Sequence, residues 1–187
     1  TIDVAGFVNQ PRNHGIRPEL NAYLLRPYPR GVDEVCPPMI VRDGTLVLLP
    51  NMKRWSADND DVFALNAKTG EMLWERWSGI DQKLTSVCCG WDNRGAALGE
   101  GMVFLGQLDA DVVALDAKTG KEVWKTKIEA WQDGYGITSA PLYYDGIVYS
   151  GITGGEYGIR GRLTALDAKT GKILWRFYTL PGPGDVG

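Results

Sequence analysis

The sequence is poor in the residue types from which metal clusters and disulfide scaffolds are built. It contains one histidine, His14, so a metal site made of several histidines is excluded. We expect His14 to lie at the surface rather than to act in catalysis. There are three cysteines, Cys36, Cys88 and Cys89, and this number is odd and too small for a disulfide framework.

The sequence also lacks a strong charge of either sign and a long apolar run. The 20 basic and 23 acidic residues give a net charge of −3, so nothing predicts binding to nucleic acid. No run approaches the length of a transmembrane helix. With 44% apolar residues over 187 positions, the chain is long enough to form a packed core.

The most prominent feature that is present is a repeat. An apolar run, a polar turn and a second apolar run that ends in tryptophan occur at Val62–Trp74, Val112–Trp124 and Leu163–Trp175. The tryptophans recur with periods of 50 and then 51 residues. A fixed period of this size is typical of repeat architectures.

Each copy of the repeat is typical of a β-hairpin. Its turn contains Lys-Thr-Gly, in which the glycine supplies a positive φ angle. An Asn or Asp four residues before that glycine is expected to bond the backbone of the turn. A further strand is predicted ahead of each hairpin, at Thr45–Leu49, Met102–Leu105 and Ile147–Ser150.

Several short antiparallel strands in each repeat, closed by an aromatic residue, predict an all-β fold made of β-propeller blades. Trp74, Trp124 and Trp175 are expected to pack between neighbouring blades. We divide the chain into an irregular N-terminal arm, residues 1–30, and a partial propeller, residues 31–187.

The third repeat carries a longer loop than the second. Ala165 follows Gly146 by 19 residues, whereas Ala114 follows Gly101 by 13. The additional length holds Thr-Gly-Gly-Glu-Tyr-Gly-Ile-Arg-Gly at residues 153–161. Loops that exceed the requirement of a repeat are frequent positions of function.

The adjacent cysteines, Cys88 and Cys89, allow two interpretations. Neighbouring Cα atoms are about 3.8 Å apart, whereas ordinary disulfides need roughly 4.4–6.8 Å. A bond between neighbours would close a strained ring, and such strain persists where the surroundings impose it. The alternative is a pair of reduced, buried thiols.

Four further residues suit the binding of an ion. Arg94 is a natural partner for a planar carboxylate, or else a surface charge beside Asp92. Glu156, in its glycine-rich loop, suits a hard cation such as calcium; the alternative is a polar turn residue. The hydroxyls of Thr138 and Ser139 either bind an anion or satisfy the end of a strand.

Two motifs resemble those of the bacterial quinoprotein alcohol dehydrogenases, the family that includes methanol dehydrogenase. They are Cys88-Cys89-x-x-x-Asn93-Arg94-Gly95 and Gly154-Gly155-Glu156-x-Gly158-Ile159-Arg160-Gly161, and they lie on consecutive repeats. The resemblance covers about residues 31–180. It implies an eight-bladed propeller that binds the quinone PQQ near its axis, beside calcium or a lanthanide ion.

The resemblance also implies which residues bind these groups. Cys88 and Cys89 would form a vicinal disulfide stacked on one face of PQQ, and Arg94 would bind its carboxylate edge. Glu156 would ligate the metal. The remaining cofactor contacts would come from Glu34, which is the looser match, and from Thr138, Thr153, Gly154 and Gly155.

On this resemblance the chain is part of a PQQ- and metal-dependent dehydrogenase, which oxidises a primary or secondary alcohol by hydride transfer to PQQ. The family's aspartate base comes from a later blade, so no catalytic residue is expected before Gly187 and the chain is expected to be inactive alone. The remaining blades would come from the same or another chain.

The resemblance also implies surroundings for this enzyme. Its partners would be a small alcohol and an electron acceptor such as cytochrome c. The family is periplasmic, and an oxidising compartment suits a vicinal disulfide. The alternative is a non-catalytic propeller that serves as a scaffold or binding module, which explains the repeats but not Cys88-Cys89, Arg94 and Glu156.

Overall fold

The computed structural model describes most of the chain beyond its first 38 residues. The described residues are 39–42, 44–48, 60–81, 83–85 and 93–184. The predicted N-terminal arm, residues 1–30, lies outside them. The helices in these ranges are two 3₁₀-helices of three residues each, Trp131–Asp133 and Gly155–Tyr157, and neither is long and apolar enough to cross a membrane.

The described strands form three antiparallel sheets of four strands, and in every sheet the strands pair in the order of the chain. The first sheet contains β1 (Met39–Arg42), β2 (Thr45–Leu48), β3 (Val62–Asn66) and β4 (Met72–Arg76). The second contains β5 (Ala96–Gly99), β6 (Met102–Gly106), β7 (Asp111–Asp116) and β8 (Glu122–Lys127). The third contains β9 (Leu142–Tyr144), β10 (Ile147–Ser150), β11 (Arg162–Asp167) and β12 (Ile173–Tyr178). The predicted all-β class, with several short antiparallel strands in each repeat, is confirmed.

A side-chain oxygen closes the turn between the third and fourth strands of each sheet. In the second sheet, Asp116 Oδ1 accepts the backbone N–H groups of Lys118 and Thr119 at 3.1 and 2.8 Å. Asn66 and Asp167 accept the corresponding bonds in the first and third sheets. Hydrogen bonds from Thr119 hold the pKa of the Asp116 carboxyl below its usual value. The predicted role of these turn residues is confirmed.

Both faces of the second sheet are buried. Val103 and Leu115 belong to a cluster shared with the first sheet, whereas Phe104 and Ala114 belong to a cluster shared with the third. This explains why β6 is apolar along its whole length instead of alternating, since every one of its residues is buried. The three sheets therefore pack face to face, with their hydrophobic cores between them.

Each buried tryptophan reaches from the last strand of one sheet to the turn of the next. Trp124 Nε1 donates a hydrogen bond to the carbonyl oxygen of Ala168 at 2.9 Å. The Trp124 ring lies against Gly171, where a Cβ atom would stand 2.6 Å from the ring. Trp74 makes the same two contacts with the turn of the second sheet. The turn glycine thus has two functions, because its φ angle is positive and its missing side chain makes room for the indole.

Trp175 differs from its two counterparts. Its side chain is 43% exposed, whereas Trp74 and Trp124 are 8% and 9% exposed. The predicted packing between blades is therefore seen for Trp74 and Trp124. Within residues 93–184 no turn of a following sheet is present to receive the ring of Trp175.

Replacing Trp124 by alanine should destabilise the protein by about 3–5 kcal/mol, because a buried indole and its hydrogen bond are lost together. The matched control is Val123→Ala on the same strand. Val123 is 50% exposed, so this change should alter stability by less than about 0.5 kcal/mol. Urea unfolding measures both effects, and equal effects would contradict the docking role of Trp124.

Candidate functional site

At one end of the second and third sheets, the first strand of each sheet begins and a long loop of the third sheet starts. Arg94 precedes β5 by two residues and Thr138 precedes β9 by four, so each lies close to where the first strand of a sheet begins. Because β9 and β10 are antiparallel, the loop that leaves β10 starts at the same end as Thr138. This loop, residues 151–161, is the one whose excess length the repeat revealed.

Backbone hydrogen bonds tie the long loop to the segment before β9. Gly136 N–H donates to the carbonyl oxygen of Thr153 at 3.1 Å, and Thr153 N–H donates to that of Gly136 at 2.8 Å. Thr138 stands two residues beyond Gly136. Thr138 therefore lies at the same end of its blade as the Gly154–Gly155 loop.

Arg94 and Thr138 are joined twice, although they belong to different sheets. The backbone N–H of Arg94 donates to the carbonyl oxygen of Thr138 at 2.8 Å. Arg94 Nη1 also donates to Thr138 Oγ1 at 2.6 Å. Arg94 is exposed and Thr138 is half-buried. Since a guanidinium carries its N–H donors in a rigid plane, the second bond, which fixes the direction of one of them, restricts the orientation of that plane.

At Gly154 the long loop lies close to Gly134, the residue that follows the first 3₁₀-helix. Gly154 is buried with a φ angle of 123°, and a Cβ atom on it would overlap the carbonyl oxygen of Gly134. Gly155 is exposed, and a Cβ atom there would meet nothing within 4 Å. Packing therefore requires a glycine at 154, whereas the backbone at 155 is open to an approaching molecule.

Glu156 lies in the second 3₁₀-helix and is exposed. Among the residues that the structure describes, no group of three or more His, Cys, Asp or Glu side chains is arranged to hold a metal ion. A single carboxylate supplies one or two of the roughly six to eight oxygens that calcium takes. The metal site predicted at Glu156 therefore stays a prediction.

The long loop also contacts the segment that leads to the cysteine pair. Tyr157 Oη donates to the carbonyl oxygen of Thr85 at 3.3 Å, and Thr85 is the last described residue before residue 93. Cys88 and Cys89 lie outside the described residues, as does Glu34. The roles predicted for these three residues stay predictions.

A buried polar pair, Asp60 and Asn93, was missed as a candidate in the sequence. Asp60 Oδ1 accepts a hydrogen bond from Asn93 Nδ2 at 2.8 Å, and Asp60 Oδ2 accepts one from the backbone N–H of Leu108 at 2.6 Å. Burial raises the pKa of Asp60 to about 7, although the bonds from Asn93 and Leu108 lower it. The repeat is the sequence signal that identifies Asp60. The corresponding positions of the second and third copies hold Ala110 and Gly161, which have no carboxylate.

Known proteins resemble this chain in sequence and in structure. The quinoprotein alcohol dehydrogenase PedH of Pseudomonas putida is 36% identical over 143 residues, which are 76% of this chain and 23% of that protein. The quinohemoprotein alcohol dehydrogenase ADH IIB of Pseudomonas putida is 44% identical over 122 residues, which are 65% of this chain and 18% of that protein. A europium-containing methanol dehydrogenase superposes with a TM-score of 0.70 at 34% identity, over 77% of this chain and 24% of that chain.

A family model described as "Outer membrane protein assembly factor BamB" matches residues 58–185, which is more than half of the chain. The chain belongs to this family. It is also a partial homologue of the PQQ-dependent alcohol and methanol dehydrogenases, and its three sheets correspond to part of the methanol dehydrogenase propeller. The chain spans about a fifth of the length of these relatives.

Replacing Gly154 by alanine should destabilise the protein by roughly 2–4 kcal/mol, because the new side chain has an unfavourable φ angle and overlaps a backbone oxygen. Gly155→Ala is the neighbouring control, and it should change stability by less than about 0.5 kcal/mol because space is available there. Urea unfolding compares the two. A Gly154→Ala protein as stable as Gly155→Ala would show that the close approach to Gly134 is absent.

The buried carboxyl of Asp60 should make stability depend on pH. Its pKa is raised from 3.8 to about 7 by folding, so between these values the folded state holds a proton that the unfolded state has released. The contribution of Asp60 to the free energy of unfolding should therefore fall as pH rises through this window, and be constant on either side of it. Urea unfolding of the wild type and of Asp60→Asn at a series of pH values isolates this contribution. A difference that is independent of pH would contradict the raised pKa.

Proposed function

We propose that this chain is part of a PQQ- and metal-dependent alcohol dehydrogenase that oxidises a primary or secondary alcohol by hydride transfer to PQQ. Residues 31–187 contribute blades to its propeller, and the remaining blades come from the same or another chain. The observation that carries the proposal is the Arg94–Thr138 pair, which stands at the end of the sheets where the long loop exposes its backbone.

The donor groups at this end fit a planar molecule with carboxylate and carbonyl oxygens. Arg94 presents an exposed guanidinium whose plane is oriented by Thr138. Beside Thr138, the long loop offers open backbone at Gly155. Guanidinium, hydroxyl and backbone N–H groups are donors that carboxylates accept, and a guanidinium does so in a two-bond geometry.

Each of these residues has its own role in the proposed enzyme. Arg94 binds a carboxylate of PQQ, and Thr138 holds the guanidinium in place while donating its own hydroxyl proton. Thr153 and Gly155 bind further oxygens of the cofactor, and Gly154 both contributes to that contact and keeps the loop close to the sheets. When bound, PQQ supplies the two-electron acceptor for the oxidation.

Glu156 provides one ligand to a metal ion beside the cofactor, either calcium or a lanthanide. Its exposed carboxylate is a hard oxygen ligand of the kind that both ions prefer. One of the similar structures is a europium-containing methanol dehydrogenase. This similarity supports a lanthanide as the alternative to calcium. The other ligands come from parts of the propeller outside the described residues.

The cysteine pair and its surroundings complete the proposal. Cys88 and Cys89 form a vicinal disulfide that holds the plane of PQQ, and Glu34 contacts the cofactor. The hydrogen bond from Tyr157 to Thr85 supports this placement, because it brings the long loop to the segment that leads into Cys88. The enzyme is periplasmic and passes electrons to an acceptor such as cytochrome c.

A non-catalytic scaffold is the competing function. The family description that matches residues 58–185 names an assembly factor, and the blades alone agree with such a role. A scaffold gives no reason, however, for Arg94 to be oriented by Thr138 at the open end of the sheets. The dehydrogenase accounts for the blades and for this pair together.

Replacing Arg94 by alanine should weaken PQQ binding about 10- to 150-fold, because a lost charge-assisted hydrogen bond costs roughly 1.5–3 kcal/mol. The control is Lys127→Ala, which removes an exposed positive charge from β8 and should leave the affinity unchanged. Titration of the complete propeller with PQQ, followed by quenching of tryptophan fluorescence, measures the dissociation constants. Equal affinities of the wild type and Arg94→Ala would overturn the assignment of this residue.

Replacing Cys88 and Cys89 together by serine should abolish most PQQ-dependent alcohol oxidation while the blades remain folded, because the plane of the cofactor is no longer held. The control is Cys36→Ser, which removes the third cysteine and should have little effect. Dye-linked oxidation of an alcohol measures activity, and intact mass before and after reduction reports the disulfide. Full activity of the double variant would refute the proposed role.

A further inference from the structure

The polar pair formed by Asp60 and Asn93 joins the first sheet to the second. Asp60 precedes β3, and its two carboxylate oxygens accept hydrogen bonds from the Asn93 side chain at 2.8 Å and the Leu108 backbone at 2.6 Å. Asn93 Nδ2 also donates to the carbonyl oxygen of Gly106 at 2.8 Å, while Asn93 Oδ1 accepts the N–H of Gly95 at 3.0 Å. Asp60 and Asn93 are both fully buried.

The repeat itself does not require a carboxylate at this place. Asp60 has a φ angle of 66°, and Ala110 occupies the same position of the second repeat with a φ angle of 65°. The third repeat has Gly161 there. The left-handed backbone is thus common to Asp60 and Ala110, while the hydrogen-bonding side chain is special to the junction of the first two sheets. A buried carboxylate is costly, so its presence here indicates a task that the blade alone does not set.

The hydrogen bonds of Asp60 and Asn93 indicate what that task is. Asn93 is the residue before Arg94, and its side chain fixes the backbone on the far side of Arg94 through Gly95. Arg94 in turn donates from its backbone and from its guanidinium to Thr138 of the third sheet. The Asp60–Asn93 and Arg94–Thr138 hydrogen bonds, joined by the backbone of residues 93–95, therefore link the first sheet to the third.

We propose that Asp60 and Asn93 are positioning residues, which set the place and direction of Arg94 at the cofactor end of the propeller. The part of this inference that concerns PQQ rests on the proposed function. The part that concerns Arg94 stands on the hydrogen bonds alone.

The test uses Asp60→Asn in the complete propeller at pH 8. An amide offers one acceptor oxygen instead of two, so either Asn93 or Leu108 loses its partner. Hydrogen exchange at the Arg94 amide should accelerate about tenfold relative to the Ala114 amide inside the second sheet, and the dissociation constant for PQQ should rise about tenfold, as expected for one lost buried hydrogen bond. Asp60→Gly is the second variant, because glycine suits the left-handed backbone and removes the carboxylate without strain.

The matched control is Asp116→Asn. It makes the same change of carboxylate to amide, but at an exposed turn that has no link to Arg94. It should change neither the Arg94 exchange rate nor the affinity for PQQ. The paired exchange Asp60→Asn with Asn93→Asp restores a donor and an acceptor between the two side chains, so its effects should be smaller than the sum of the single effects.

Unchanged exchange at Arg94 in both Asp60 variants would overturn the proposal. Faster exchange with an unchanged affinity for PQQ would overturn the part that concerns PQQ, because the position of Arg94 would then have no effect on cofactor binding. If the wild type binds no PQQ, the proposed function fails, and the exchange rate at Arg94 alone decides whether the pair positions that residue. Additive effects in the paired exchange would show a general structural role and contradict positioning.

Discussion

The docking of an indole on the turn of the next sheet is the interaction on which the rest of this structure depends. Trp74 and Trp124 each bury an aromatic ring and satisfy its N–H on a backbone oxygen of the neighbouring sheet. Because the ring sits where the turn glycine has no side chain, the contact fixes both the distance between sheets and their relative height. The hydrophobic clusters between the sheets then pack in a register that the tryptophans have set.

The candidate site is a consequence of this register. Arg94 belongs to the second sheet and Thr138 to the third, so their hydrogen bond forms only when the two sheets stand at the correct angle. The bond from Asn93 to Asp60 crosses from the second sheet to the first in the same way. The blades thus provide a rigid frame, and the residues proposed to act on a cofactor lie in the segments between strands, where the repeat leaves the sequence free to vary.

The blades were predictable because the contacts that define them are local. Asp116 bonds residues only two and three positions away, and the repeated period makes the same turn visible three times. The site was predictable only in part, since the contact between Arg94 and Thr138 spans 44 residues and no local pattern indicates it. Both residues were named from the chemistry of their side chains, and only the resemblance to a family gave them a shared role. Asp60 was not predicted because a carboxylate beside a turn normally faces solvent. Its burial results from the packing of the first two sheets against each other.

The central claim is that the end of the sheets where Arg94 meets Thr138 binds PQQ. The most direct measurement is the absorbance spectrum, together with the metal content, of the native protein purified without added cofactor. The account predicts the absorption of bound PQQ and one metal ion in each propeller. Native protein that carries neither would contradict the claim and would favour a propeller without catalytic function.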